Sequence, residues 1–149
     1  MDINQKIILL HDLCNRLPYH VKCQINDMED NSNDNVWTLS RIEVDYINGH
    51  LLDFIETKDG LDMQVYLSEV KPYLLPLSSI TQEQKNEINR LVNYHVAFTQ
   101  YGEIVFPNYE DNNTENWQFI IQWCYKNNYD ISGLIPMGLA IDATNLGIY

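Results

Sequence analysis

The sequence predicts an α+β domain, an antiparallel sheet with about three helices packed on it, spanning residues 1–149 as one unit. Two kinds of period point there. Apolar residues recur every three or four positions in segments near the start, after Thr81 and after Thr114, the spacing of amphipathic helices. Between the first two, apolar and polar residues alternate with period two, and Asn48-Gly49 separates two such runs, the signature of a hairpin. The 149 residues match the usual size of one domain.

The first helix is expected over about Asn4 to Arg16. Ile3, Ile7, Leu10, Cys14 and Leu17 fall at alternating spacings of four and three, which places them on one face and predicts that face as the buried one. Asp2 and Gln5 form a capping pair, and Pro18 stops the helix. His20 to Asn26 alternates Val21, Cys23 and Ile25 with Lys22 and Gln24, a half-buried strand. Asp27 to Asn35 is acidic and polar, an exposed loop.

Val36 to Ile55 reads as a hairpin closed by a two-residue Asn48-Gly49 link, and Met63 to Leu67 adds a strand. Lys71 to Leu77 holds Pro72 and Pro76, which remove backbone donors, so it is expected as an extended connection and not a central strand. Thr81-Gln82-Glu83-Gln84 is a capping box opening a helix to Tyr94, with Ile88, Leu91, Val92 and His95 inward. A short strand follows at Glu103 to Phe106, then an acidic, Asn-rich loop. Trp117, Ile120, Ile121 and Cys124 define the last helix, closed by Asn127-Asn128. The segment from Gly133 to Ile141 is apolar and punctuated by Gly and Pro, and is expected to dock on the body.

Charge bounds the function. With 21 acidic and 9 basic residues the net charge is −12, which argues against nucleic acid and anionic membranes as direct partners. Eleven acidic and two basic residues lie between Cys23 and Val70. Such a surface is either simply solvated or aimed at a basic partner. On the second reading Asp27, Glu29, Asp30, Asp34 and Asp45 are the partner-binding residues. No basic, apolar leader and no 18-residue apolar run occurs, so the chain is expected in the cytoplasm. Its three cysteines are expected as small core residues in a reducing compartment.

The motifs of common active sites do not occur. His11 and Cys14 stand three apart on the first helix, without the close ligand pairs a zinc site uses. Asp30 to Asp34 imitates the start of a calcium loop, but Asn35 replaces its glycine and Arg41 its bidentate acid. Glycine patterns for nucleotides and nucleophile elbows are missing. No catalytic residue, cofactor or metal is expected. Tyr66, Tyr73, Tyr94, Tyr101, Tyr109, Tyr125 and Tyr129 flank loops, where they serve packing or a binding platform.

Three stretches carry a resemblance. They are Asp12-Leu13-Cys14-Asn15-Arg16-Leu17-Pro18-Tyr19, the run from Val70 to Thr81 through Lys71-Pro72-Tyr73-Leu74-Leu75-Pro76-Leu77, and Tyr129-Asp130-Ile131-Ser132-Gly133-Leu134-Ile135 continuing to Asp142. In these the chain resembles a family of small proteins of gut Bacteroidales, their phages and their mobile elements. It departs from the family's pattern at Leu75 and at Pro136-Met137. The resemblance implies an accessory protein of a mobile element and carries no catalytic residue with it. The expected function is binding of a basic protein partner. A handling host protein of nucleic acid, inhibited by charge mimicry, is one form of it. The alternative is an enzyme or ligand-binding protein with a site assembled from distant residues.

Overall fold

The computed structural model describes residues 1–25, 36–45, 50–56, 62–92, 97–99, 104–105 and 114–149. Helix α1 spans Ile3–Arg16 and opens with a reciprocal cap. Gln5 N donates to Asp2 Oδ1 at 2.9 Å, and Asp2 N donates to Gln5 Oε1 at 3.0 Å. Pro18 lies in the 3-10 turn Leu17–Tyr19 that ends the helix, and His20, at φ 55°, redirects the chain.

The buried face of α1 is not the one the spacing predicts. Leu9 and Leu13 are buried together with Asp12 and Arg16, whereas Ile3 is 74% and Ile7 59% exposed and Cys14 is exposed. Leu10 and Leu17 are partly buried against the core. The physical reason is that Asp12 and Arg16 stand one turn apart and neutralise each other, so a face that reads as polar can be buried.

Among the described residues the main sheet is built from β1 (Lys22–Ile25), β2 (Trp37–Asp45), β3 (His50–Glu56), β4 (Asp62–Tyr66) and β5 (Val70–Leu74), which pair antiparallel, and β8 (Ile141–Asp142), which adds a parallel edge to β5. Their order across the sheet is β4-β3-β2-β1-β5-β8. The expected hairpin is β2 with β3. The last described pair of its register is Asp45 opposite His50, with four residues between them, and the register shifts between Leu39 and Arg41. The hairpin turn and the acidic loop at 26–35 lie outside the described residues.

Pro72 corrects a second expectation. It sits inside β5, opposite Cys23 of β1. Leu74 O, two residues on, accepts from Ala143 N on the β8 side, so by the period of two Pro72 N also points to that side. The β8 pairing begins only at Tyr73, and the missing donor therefore costs no ladder bond. One position further, Lys22 stands opposite Tyr73, and the hydroxyl of Tyr149 lies between them. It accepts from Lys22 N at 3.1 Å and donates to Tyr73 O at 2.9 Å.

Helices α2 (Gln82–Val92) and α3 (Thr114–Lys126) pack together, with the short hairpin β6 (Ala97–Phe98) and β7 (Ile104–Val105) between them in sequence. Thr81 N donates to Gln84 Oε1 at 2.9 Å and Gln84 N to Thr81 Oγ1 at 3.3 Å, the predicted capping box. Ile88 and Val92 are buried as expected, but Leu91 is 55% exposed, and His95 lies outside the described residues. Two apolar clusters result. One joins Leu9 and Leu13 to Cys23, Leu39, Val65, Leu74, Leu134 and Leu139. The other joins Ile80 and Ile88 to Ile120, Trp123, Cys124 and Tyr129. The docked segment after Gly133 behaves as predicted and contributes Leu134, Leu139 and Ala140 to the first cluster.

Candidate functional site

The densest polar arrangement among the described residues lies where α1, the end of α3 and the segment from Tyr129 meet. Asn128 ends α3 in the left-handed region at φ 58°. Tyr129 N donates to Cys124 O at 2.8 Å and Asn128 N to Tyr125 O at 3.2 Å, the paired bonds of a Schellman cap. The chain then runs beside Leu75. Leu75 N donates to Asn128 O and Asp130 N to Leu75 O, both at 2.8 Å.

Arg16 enters this junction from α1 with no exposed surface. Its Nε donates to Asp12 Oδ2 at 2.5 Å, and its Nη2 donates to Asp12 Oδ1 at 3.2 Å and to Tyr129 O at 2.7 Å. The guanidinium stands 4.9 Å from the ring centre of Tyr125, a cation–π contact. Ser132 Oγ donates to Asp12 Oδ1 at 2.6 Å. Asp130 spends both carboxylate oxygens on the backbone, accepting from Leu134 N at 2.7 Å and Ile135 N at 2.8 Å. Tyr129 stacks on Trp123 at 5.4 Å, and its hydroxyl donates to Gln84 Oε1 at 2.8 Å. The three stretches that carried the resemblance therefore meet at one place.

Chemically this junction is a lock. A buried ion pair is costly unless its remaining donors and acceptors are engaged; both oxygens of Asp12 are taken by Arg16 and Ser132, while Nη1 of Arg16 is buried with no hydrogen-bond partner. Neither member of the ion pair is exposed to a substrate, since Asp12 and Arg16 have none of their surface in solvent. Burial pushes the neighbouring Cys124 thiol up to about 12, against the lowering pull of Arg16, so it stays protonated and unreactive. Burial likewise raises Tyr129, with smaller opposing hydrogen bonds from Gln84 and Ser79. Tyr73, Tyr125 and Tyr129 are thus packing residues, while Tyr66 is 46% exposed.

The predicted partner-binding residues fall elsewhere. Asp27, Glu29, Asp30 and Asp34 lie outside the described residues. Asp45 ends β2, in register with His50. Around it the described strands bring further acids into phase. Glu43, Leu52 and Tyr66 stand opposite one another in β2, β3 and β4, and Glu56 pairs with Asp62. By pairing and alternation along each backbone, Arg41, Glu43 and Asp45 of β2, His50, Leu52, Phe54 and Glu56 of β3, and Asp62, Gln64 and Tyr66 of β4 fall in one register phase. The sequence reading named Asp45 of the four acids in it; Glu56 and Asp62 are brought into phase with it by the pairing of β2 with β3 and of β3 with β4, which no spacing rule shows.

Among the described residues no group of three or more His, Cys, Asp and Glu side chains could hold a metal ion, and no helix is long and apolar enough to cross a membrane. His11 Nδ1 lies 3.3 Å from Asn15 Nδ2, and Cys14 is not in the core where it was expected. No protein-family model matches the chain, and no curated protein or solved structure matches it.

Proposed function

We propose that this chain is a small acidic protein-binding module, an accessory of a phage or mobile element, that engages a basic protein partner through the β2–β3–β4 half of its sheet and the acidic stretch at 27–34. The observation that carries the reading is the pairing of Glu56 with Asp62 across β3 and β4, in the same phase as Glu43 and Asp45. Like charges placed directly opposite destabilise a sheet, so stability does not account for their placement, which supports a partner. Net charge −12 supports the same reading, because a basic surface approaching this half of the sheet gains attraction over its whole approach. A partner that normally holds nucleic acid fits this chemistry, with the carboxylates standing where phosphates would.

The test is affinity capture of the tagged protein from a bacterial lysate at about 50 mM and about 500 mM salt, a range over which the screening length falls severalfold. A second bait carries Glu43→Gln, Asp45→Asn, Glu56→Gln and Asp62→Asn. A basic protein retained at low salt, lost at high salt and lost with the neutralised bait is the expected result. Capture that survives both salt and neutralisation removes the electrostatic reading.

A further inference from the structure

We infer that the gap between Lys22 at the start of β1 and Tyr73 of β5 is a binding site for a phenol, filled in the resting chain by Tyr149 and open to a free phenol that takes its place. Val21 O accepts from Leu39 N on the β2 side, so by alternation Lys22 N points to β5. Leu74 O accepts from Ala143 N on the β8 side, so Tyr73 O points to β1. In an unbroken antiparallel ladder these two groups would bond each other. The Tyr149 hydroxyl separates them, accepting from Lys22 N at 3.1 Å and donating to Tyr73 O at 2.9 Å.

The chemistry of the gap selects a hydroxyl. One backbone donor and one backbone acceptor face each other, and a hydroxyl serves both at once. A carboxylate or an ether has no proton for Tyr73 O, and an ammonium has no lone pair for Lys22 N. Both walls are held in place. Lys22 Nζ donates to Thr38 Oγ1 at 2.6 Å, tying it across to β2, and Tyr73 is 7% exposed and in register with Ile141. A ligand therefore meets a formed site and orders nothing in it. Burial raises the Tyr149 hydroxyl above its ordinary value, so the occupant keeps the proton that Tyr73 O accepts.

The resident ring is lightly tethered. Residues 144–147 are exposed, and Tyr149 is itself 51% exposed. Among the described residues, the hydrogen bonds of 144–149 stay within Asp142–Leu146 except for the two made by the Tyr149 hydroxyl. Ala143 N, bonded to Leu74 O at 2.8 Å, keeps a displaced Tyr149 nearby. It then competes as an intramolecular ligand, at an effective concentration on the order of millimolar. A free phenol at a similar concentration exchanges with it, and release of 144–149 is the response.

The experiment is a titration of the ¹⁵N-labelled full chain with 4-methylphenol, as wild type and as Tyr149→Ala, following the Lys22 amide by NMR. In Tyr149→Ala that amide should shift saturably, with a dissociation constant on the order of 1–10 mM for so small a ligand. The ether 4-methylanisole, with no proton to donate, should bind at least about tenfold more weakly. The wild type should need at least about threefold more 4-methylphenol, and its 144–148 amides should move toward random-coil shifts as it binds. Far-UV circular dichroism checks the fold of Tyr149→Ala; if that variant does not fold, the wild-type titration decides alone. No saturable change at Lys22 overturns the proposal, as does equal binding of the ether. So does a wild type that binds 4-methylphenol while 144–148 stay unmoved.

Discussion

Arg16 and Asp12 form an ion pair within one helix that has no exposed surface, yet it is completed from the far end of the chain by Tyr129 O and Ser132 Oγ. Removing one partner strands a buried charge. Asp12→Ala should therefore cost about 3–5 kcal/mol, while Asp12→Leu with Arg16→Met should cost much less than either single change. Urea unfolding of the two singles and the double reads this directly. A double mutant as damaged as the sum of the singles would show that the pair contributes more than mutual neutralisation.

That pair also explains where the sequence misleads. The apolar spacing of Ile3, Ile7, Leu10 and Cys14 is real, and a helix does run over Ile3–Arg16, but the core takes the neighbouring face through Leu9 and Leu13. Nothing local tells that two opposite charges one turn apart will be desolvated together; it takes the carbonyl of Tyr129 and the ring of Tyr125 to make the face fit. Signals confined to a few residues were legible: both capping boxes, the stop at Pro18, the Asn128 cap and the docked segment after Gly133. Signals that depend on a partner strand were not. Pro72 is tolerated in β5 only because β8 begins one residue later, and β8 itself is two residues long. Of the candidate site, the sequence named Asp45 but not Glu43, Glu56 or Asp62; Glu43 shares its phase by simple alternation, whereas that of Glu56 and Asp62 follows from pairing.

Tyr149→Phe removes the hydroxyl that bridges Lys22 N and Tyr73 O. A lost pair of hydrogen bonds at a partly buried position should cost about 1–2 kcal/mol. Amide exchange is the sharper measurement, because the Lys22 amide should lose protection selectively. Unchanged exchange at Lys22 would mean that water closes the gap as well as the phenol does.

Alkaline pH should unfold the protein from a defined point. Burial raises Cys124 from 9.0 to about 12 in the folded chain, and raises Tyr73, Tyr129 and Tyr149 above 10.0. The folded state holds these protons more tightly than the unfolded one. Their stabilising contribution is whole below about pH 9 and falls as pH rises, first with Cys124 and then with the tyrosines. Melting temperatures between about pH 8 and about pH 11 should decline from about pH 9, less steeply for Cys124→Ala relative to its own value at about pH 8. A flat profile would contradict the burial of these groups.

Asp130→Asn tests the clamp on the docked segment. Asp130 accepts two backbone N–H groups with its two oxygens, and the amide can serve only one while its NH₂ faces the other. The expected loss is about 2 kcal/mol. Leu134, which has no exposed surface, should then become accessible to proteolysis nearby before global unfolding. Loss of stability without local cleavage would place the effect in the whole fold instead.

The junction at Arg16 has a consequence for how the protein is made. Helix α1 leaves the ribosome before Tyr129 and Ser132, which lie 113 residues beyond Arg16 and 120 beyond Asp12. At about 5–20 residues per second the nascent chain spends several seconds or more with a helix whose charged pair has nowhere to be buried. Truncated products, from an early stop or a broken message, carry that exposed pair permanently. The stability of the first helix thus depends on residues 129–132 having been made, and a chain stopped before them lacks the carbonyl and hydroxyl that complete its buried pair.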